Sequence, residues 1–116
     1  MNIQQYREYC IRKKEVTEEF PFDNETLVFK VCGKIFALTN VDAFASINLK
    51  CDPEEAVILR VKYACVQPGY HMNKKHWNTV LLDGSVPDKT ILHWIDDSYQ
   101  CVIKGLPKKE KLKLES

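Results

Sequence analysis

Apolar positions change period several times along the chain, and each change marks an element. Ile3, Tyr6, Cys10 and Ile11 recur at helical spacing, with Arg7, Glu8, Arg12 and Lys13 elsewhere on the wheel. This predicts an amphipathic helix over 2–14. Phe20-Pro21-Phe22-Asp23-Asn24 ends the pattern, because Pro21 pushes Phe20 to extended backbone. Leu27, Phe29 and Val31 then alternate with Val28, Lys30 and Cys32, which is strand periodicity. Gly33 permits a tight turn, Lys34 to Thr39 resumes a β-rich run, and Ile47 and Leu49 alternate with Ser46, Asn48 and Lys50 in a third strand. Asp52-Pro53-Glu54-Glu55 predicts a helix start, with Asp52 as cap, Glu55 closing a capping box, and the helix running to about Ala64. Gln67-Pro68-Gly69-Tyr70 reads as a turn, and His76 to Leu82 as a further strand closed by Asp83-Gly84. A last helix starts near Pro87, buries Ile91, Ile95, Ser98, Tyr99 and Val102 on one face, and stops at Gly105.

Short links between the strands imply antiparallel pairing. Strands bracketed by helices give an α+β fold, an antiparallel β-sheet with helices packed on one face and the other face open to solvent or a partner. The 116 residues, 45% hydrophobic and 28% charged, suit one compact domain rather than two. The expected division is a single domain over 1–107 and a charged, frayed tail over 108–116. No run approaches the ~20 apolar residues of a membrane span. The N-terminus lacks a signal-peptide h-region, so the expected location is cytoplasmic. Cys10, Cys32, Cys51, Cys65 and Cys101 contain no C-x-x-C and sit beside apolar residues, which suits structural thiols in a reducing compartment.

Chemistry concentrates in His71-Met72-Asn73-Lys74-Lys75-His76-Trp77, which has no acid among its neighbours from Pro68 to Leu82. Lysines contact phosphates as point charges, and an exposed indole stacks on a base or sugar. The candidate nucleic-acid-binding residues are therefore Asn73, Lys74, Lys75, His76 and Trp77, joined by Lys34 on the Gly33 turn. In that reading Lys74 and Lys75 neutralise phosphates, Asn73 and His76 donate hydrogen bonds, and Trp77 either stacks or buttresses its strand. The ordinary alternative is a core Trp77 beside a solvated Lys74-Lys75 turn. The tail from Lys104 to Ser116 adds five Lys against Glu110 and Glu115.

Overall charge argues the other way. A net charge of +1 and a pI near 7.6 fall short of the pI above ~9 that marks a clear nucleic-acid footprint. Segment 83–103 carries Asp83, Asp88, Asp96 and Asp97 against Lys89 alone, so a DNA-facing surface must turn it away. His71, His76 and His93 match no metal-ligand spacing. No G-x-S-x-G, P-loop, G-x-G-x-x-G or H-E-x-x-H is present, and Ser98 and Tyr99 belong to a buried helix face. Neither an enzyme activity nor a metal or other cofactor is expected.

Three segments together carry a family likeness: Phe20-Pro21-Phe22-Asp23 leading into Phe29-Lys30-Val31-Cys32-Gly33-Lys34-Ile35-Phe36-Ala37-Leu38, then 67–80, then Ser98-Tyr99-Gln100-Cys101-Val102. In their order and spacing the chain resembles the MmcQ/YjbR family of small bacterial proteins over about residues 3 to 107. The resemblance implies a CyaY-like (frataxin-like) fold and DNA binding through a double-wing motif. The acidic first helix that serves iron in frataxins is missing: residues 1–20 hold four bases and four acids. The expected protein is a monomeric, non-enzymatic binding module that contacts DNA nonspecifically through phosphates. The alternatives are an adaptor that binds a protein partner on the open sheet face, and a small-ligand binder with a pocket near Tyr70, His71, His76 and Tyr99.

Overall fold

The computed structural model describes residues 1–69 and 72–115. In chain order the elements are α1 (Ile3–Ile11), β1 (Val16–Glu19), β2 (Thr26–Val31), β3 (Lys34–Asn40), β4 (Ser46–Lys50), α2 (Pro53–Lys62), β5 (Val66–Pro68), β6 (Trp77–Leu81), α3 (Asp88–Lys104) and α4 (Lys108–Glu115). Among the described residues the six strands form one antiparallel sheet in the order β1-β2-β3-β4-β6-β5. The fold is α+β, as expected. The side chains of Leu27, Phe29, Val31, Ile47, Leu49 and Val80 point to one face. There they meet Tyr6 and Cys10 of α1, Ile91, Ile95, Tyr99 and Val102 of α3, the partly buried Leu59 of α2, and Tyr63 just past its end.

Aromatic rings hold these layers in register. Tyr6 meets Phe29 edge-on at 5.6 Å, Phe29 meets Phe36 at 6.5 Å, and Phe36 meets Tyr99 edge-on at 5.3 Å. Ser98, fully buried on α3, donates from Oγ to the Phe36 carbonyl at 2.5 Å and accepts the Lys50 N–H at 2.7 Å. One hydroxyl thus fastens the long helix to two neighbouring strands. Among the described residues, the Tyr6 hydroxyl is the buried side-chain oxygen with no hydrogen-bond partner. Its desolvation is uncompensated, so Tyr6→Phe is expected to stabilise the fold by about 1 kcal/mol. Thermal unfolding should then show a midpoint raised by roughly 4 °C; an unchanged or lower midpoint contradicts this.

Several expectations change at the local level. The first helix is capped by Asn2, which accepts the Gln5 N–H in a capping box, and it stops at Ile11 rather than 14. Asp52 makes no side-chain cap to α2, because its carboxylate faces the Cys101 thiol at 3.8 Å instead. Val16–Glu19 and Val66–Pro68 are strands, the second lying where a turn was expected. The charged terminus expected to fray forms α4. Leu114 packs against the core and the Glu110 carbonyl lies 3.9 Å from the Cys32 thiol. Apolar anchors at one end hold a helix whose own composition would not.

Candidate functional site

A trough on the open sheet face

The sheet face away from the helices is floored by a cross-strand row, Glu19-Val28-Leu38-Asn48-Thr79-Gln67, running over all six strands. Thr79 donates to the Asn48 side chain at 2.6 Å, which fixes the middle of that floor. Two connected depressions lie along this face. The larger, about 760 Å³, is lined by Thr26, Leu38, Asn40, Ser46, Asn48 and Thr79 among others. The second, about 440 Å³, is lined by Lys30, Lys34, Ile35, Lys50 and Trp77. Phe22 and Met72 border both, so the two read as one trough with a polar half and a lysine half.

Each wall has a local cause. Asp23 accepts the Glu25 N–H at 2.8 Å, the Thr26 N–H at 2.6 Å and the Thr26 hydroxyl at 3.2 Å. These bonds hold its carboxyl below the usual range and brace the loop that carries Phe22, which is 68% exposed. At the other end, Cys32 and Gly33 both adopt positive φ, +48° and +80°. Two left-handed residues in a two-residue turn match the twist of a hairpin, and the turn sets Lys34 opposite Val31 at the start of β3. Lys30 is held by Glu19 at 3.4 Å. No ion pair engages Lys34 or Lys50 among the described residues.

The sequence-derived residues fall on both sides of this picture. Lys34 and Trp77 line the lysine half. Trp77 is only 7% exposed, because β6 is an inner strand and Gly69, just past β5, presses on its backbone. It therefore buttresses the trough and offers no face for stacking. Asn73, Lys74 and Lys75 are exposed in the turn between Met72 and β6, with the Asn73 side chain accepting the Lys75 N–H at 3.0 Å. His76 is half-buried at the end of that turn, where its carbonyl accepts the Cys51 N–H at 2.7 Å. Tyr70 and His71 of the expected small-ligand pocket lie outside the described residues. Tyr99 is buried in the helix–sheet interface, where its hydroxyl donates to the Lys14 carbonyl at 2.6 Å.

Acidic groups lie on both faces: Glu19 stands at the β1 end of the floor row and Asp23 lines the polar half of the trough. Asp96 and Asp97 belong to α3 on the covered side, where Asp96 takes the Tyr9 hydroxyl and the Lys13 ammonium. Sequence spacing missed Lys30, Lys50 and Phe22, because strand register brings them together from well-separated segments.

A second cavity, about 210 Å³, lies between α2 and α3 over Leu49 and Val80, with Cys51 and Cys101 in its lining. Burial pushes the Cys51 thiol up to about 11, helped by Glu55, and burial likewise raises Cys101. Both sulfurs stay protonated near neutrality and are poor nucleophiles. Among the described residues no group of three or more His, Cys, Asp or Glu is placed to hold a metal ion.

Family and relatives

A single antiparallel sheet with helices on one side and a lysine-edged trough on the other defines a small, one-sided α+β domain. The chain belongs to the YjbR family, whose family model, described as YjbR, matches residues 11–101. It is 38% identical over 115 residues to the protein YjbR of Escherichia coli K12, covering 98% of this chain and 97% of that one. It is 40% identical over 73 residues to YyaQ of Bacillus subtilis, covering 63% of this chain and 61% of that one. The crystal structure of the Deinococcus radiodurans protein DR2400 superposes with a TM-score of 0.90 at 40% identity, over 98% of this chain and 88% of that one. A Pseudomonas syringae crystal structure superposes with a TM-score of 0.74 at 34% identity, over 87% of this chain and 98% of that one. Among the described residues no helix is long and apolar enough to cross a membrane.

Proposed function

We propose that this protein is a cytoplasmic, non-enzymatic module of a frataxin-like, one-sided layer that binds nucleic acid in the trough on its open sheet face. The observation that carries the reading is the trough itself. Lys30, Lys34 and Lys50 gather at one end, and the exposed ring of Phe22 stands over the floor. A cationic groove beside an aromatic platform suits a single strand, or the end of a duplex, with phosphates on the lysines and a base on the phenyl ring. Phe22 takes the stacking part that the sequence offered to Trp77. The turn bearing Lys74 and Lys75 extends the cationic end. Non-enzymatic action is supported by the burial of Ser98 in two hydrogen bonds and by the protonated thiols of the second cavity.

Fluorescence anisotropy with a short labelled single strand tests the proposal. Affinity should fall with salt at a log–log slope near −2 for about three phosphate contacts. Replacing Lys34 and Lys50 together by Ala should weaken binding roughly ten-fold or more and shrink the slope by about 1.4. Phe22→Ala should cost about 1–3 kcal/mol of affinity and leave the slope unchanged. No association with single or double strands at low salt, or trough variants that bind like the parent, removes the proposal. A second reading rests on the apolar exposure of Phe20 and Phe22, 50% and 68%. Exposed rings in this loop, one of them bordering the trough, would dock a protein partner, and capture of that partner would survive nuclease treatment.

A further inference from the structure

The helix α2 is anchored by its inner side only. Ala56 is buried there, and Asn78 donates to the Ala56 carbonyl at 3.3 Å. Arg60 donates to the Asn78 side chain at 2.6 Å, to the Trp77 carbonyl at 3.2 Å and to the Lys74 carbonyl. This network fixes the helix on β6 and fixes which residues face outward.

The outward stripe is Glu54, Val57, Ile58, Val61 and Lys62, spaced as one helical face. Val57 and Ile58 are each 54% exposed and Val61 is 83% exposed. Three β-branched residues lower helix propensity, and within one copy their methyl groups gain little packing in return. An acid stands at the N-terminal end of the stripe and a base at the C-terminal end, each agreeing with the helix dipole.

We infer that this face is a self-complementary contact, through which two copies of the chain pair as a weak two-fold dimer. Glu54 and Lys62 are each four residues from Ile58. An antiparallel pair of α2 helices centred on Ile58 therefore sets Glu54 of one copy against Lys62 of the other, twice, with Val57, Ile58 and Val61 interleaved between them. A parallel pair would oppose like charges. The stripe thus complements itself in one orientation, and that orientation is the one a two-fold axis generates. A ten-residue helix is about 15 Å long, and contact along it falls short of the ~1,200 Å² of a standard interface. The dissociation constant is accordingly on the order of 0.1 mM. The contact lies on a different element from the trough strands and does not depend on what the trough binds.

Charge reversal tests this without relying on the stability of any one variant. The parent chain should show sedimentation and amide chemical-shift changes on concentration, with the shifts confined to α2. Glu54→Lys and Lys62→Glu should each be monomeric alone, because each opposes like charges at both ends. Mixed in equal amounts they should associate again, since every facing pair is then opposite in sign. A parent that stays monomeric into the millimolar range, shifts that map elsewhere, or a mixture that stays monomeric overturns the inference.

Discussion

Stability is expected to fall steeply as the pH rises from about 9 to about 12, through thiols and phenols that burial holds protonated. Burial pushes Cys10 from its ordinary 9.0 up to about 12, and burial followed by the hydrogen bond to Asp96 takes Tyr9 from 10.0 to about 12. Burial also raises Tyr6 well above 10.0 and takes Cys51 to about 11. Below pH 9 the folded and unfolded chains both keep these protons, and the contribution is intact. Above it, the unfolded chain releases protons that the folded chain retains, so the unfolded state gains and stability declines with rising pH. Cys10 alone contributes a slope of about 1.4 kcal/mol per pH unit. Across its window that amounts to roughly 4 kcal/mol, a large share of the 5–15 kcal/mol typical of a domain. Denaturant titrations at a series of alkaline pH values measure the slope directly. Cys10→Ala should remove about one proton from it. A stability that stays level to pH 11, or a slope that Cys10→Ala leaves unchanged, contradicts the assignment.

Gly69→Ala is expected to be the most damaging small substitution at the edge of the trough. Gly69 is buried and donates its N–H to the Trp77 carbonyl at 2.8 Å. A Cβ there would lie 2.9 Å from the Trp77 Cβ and 3.0 Å from its carbonyl oxygen. Those are atoms of a strand, and no side-chain rotation moves them aside. The two backbone segments must part or shear, which costs about 3 kcal/mol and lowers the unfolding midpoint by roughly 10 °C. Gly105→Ala is the control, because its nearest contact is the Val102 carbonyl at an ordinary 3.6 Å and its stability should stay within about 1 kcal/mol of the parent. If both substitutions prove equally mild, the close approach of Gly69 to Trp77 does not constrain the fold.

Where a segment's own pattern decided its structure, the sequence was readable. α1, the strands β2 to β4, and the buried stripe of α3 from Ile91 to Val102 all followed from apolar spacing, and Gly105 ended α3 as expected. β1 could not be read that way. Val16-Thr17-Glu18-Glu19 has one apolar residue and becomes a strand by pairing with β2, while Arg7 engages Glu18. β5 is three residues long and ends in proline, so it carries turn composition in strand geometry. α4 forms where Leu114 finds the core.

The candidate site was half readable for a related reason. The His71–Trp77 segment stood out as a local basic-aromatic cluster, and Lys34 joined it from the Gly33 turn. Lys30, Lys50 and Phe22 join the trough only through pairings between distant strands, such as Lys50 with Trp77, and through the Asp23 turn that presents the ring. Burial of Trp77 was likewise a matter of strand order: local sequence cannot say that β6 lies inside the sheet.

The margins of the sheet carry one more consequence. Its two outermost strands are β1, with Glu18 and Glu19, and β5, which closes on Pro68. A carboxylate-bearing border and a proline without an amide proton are poor templates for adding another chain's backbone. Fibre growth by strand addition is therefore discouraged at both borders, and crowded solutions of this protein should stay clear rather than gel.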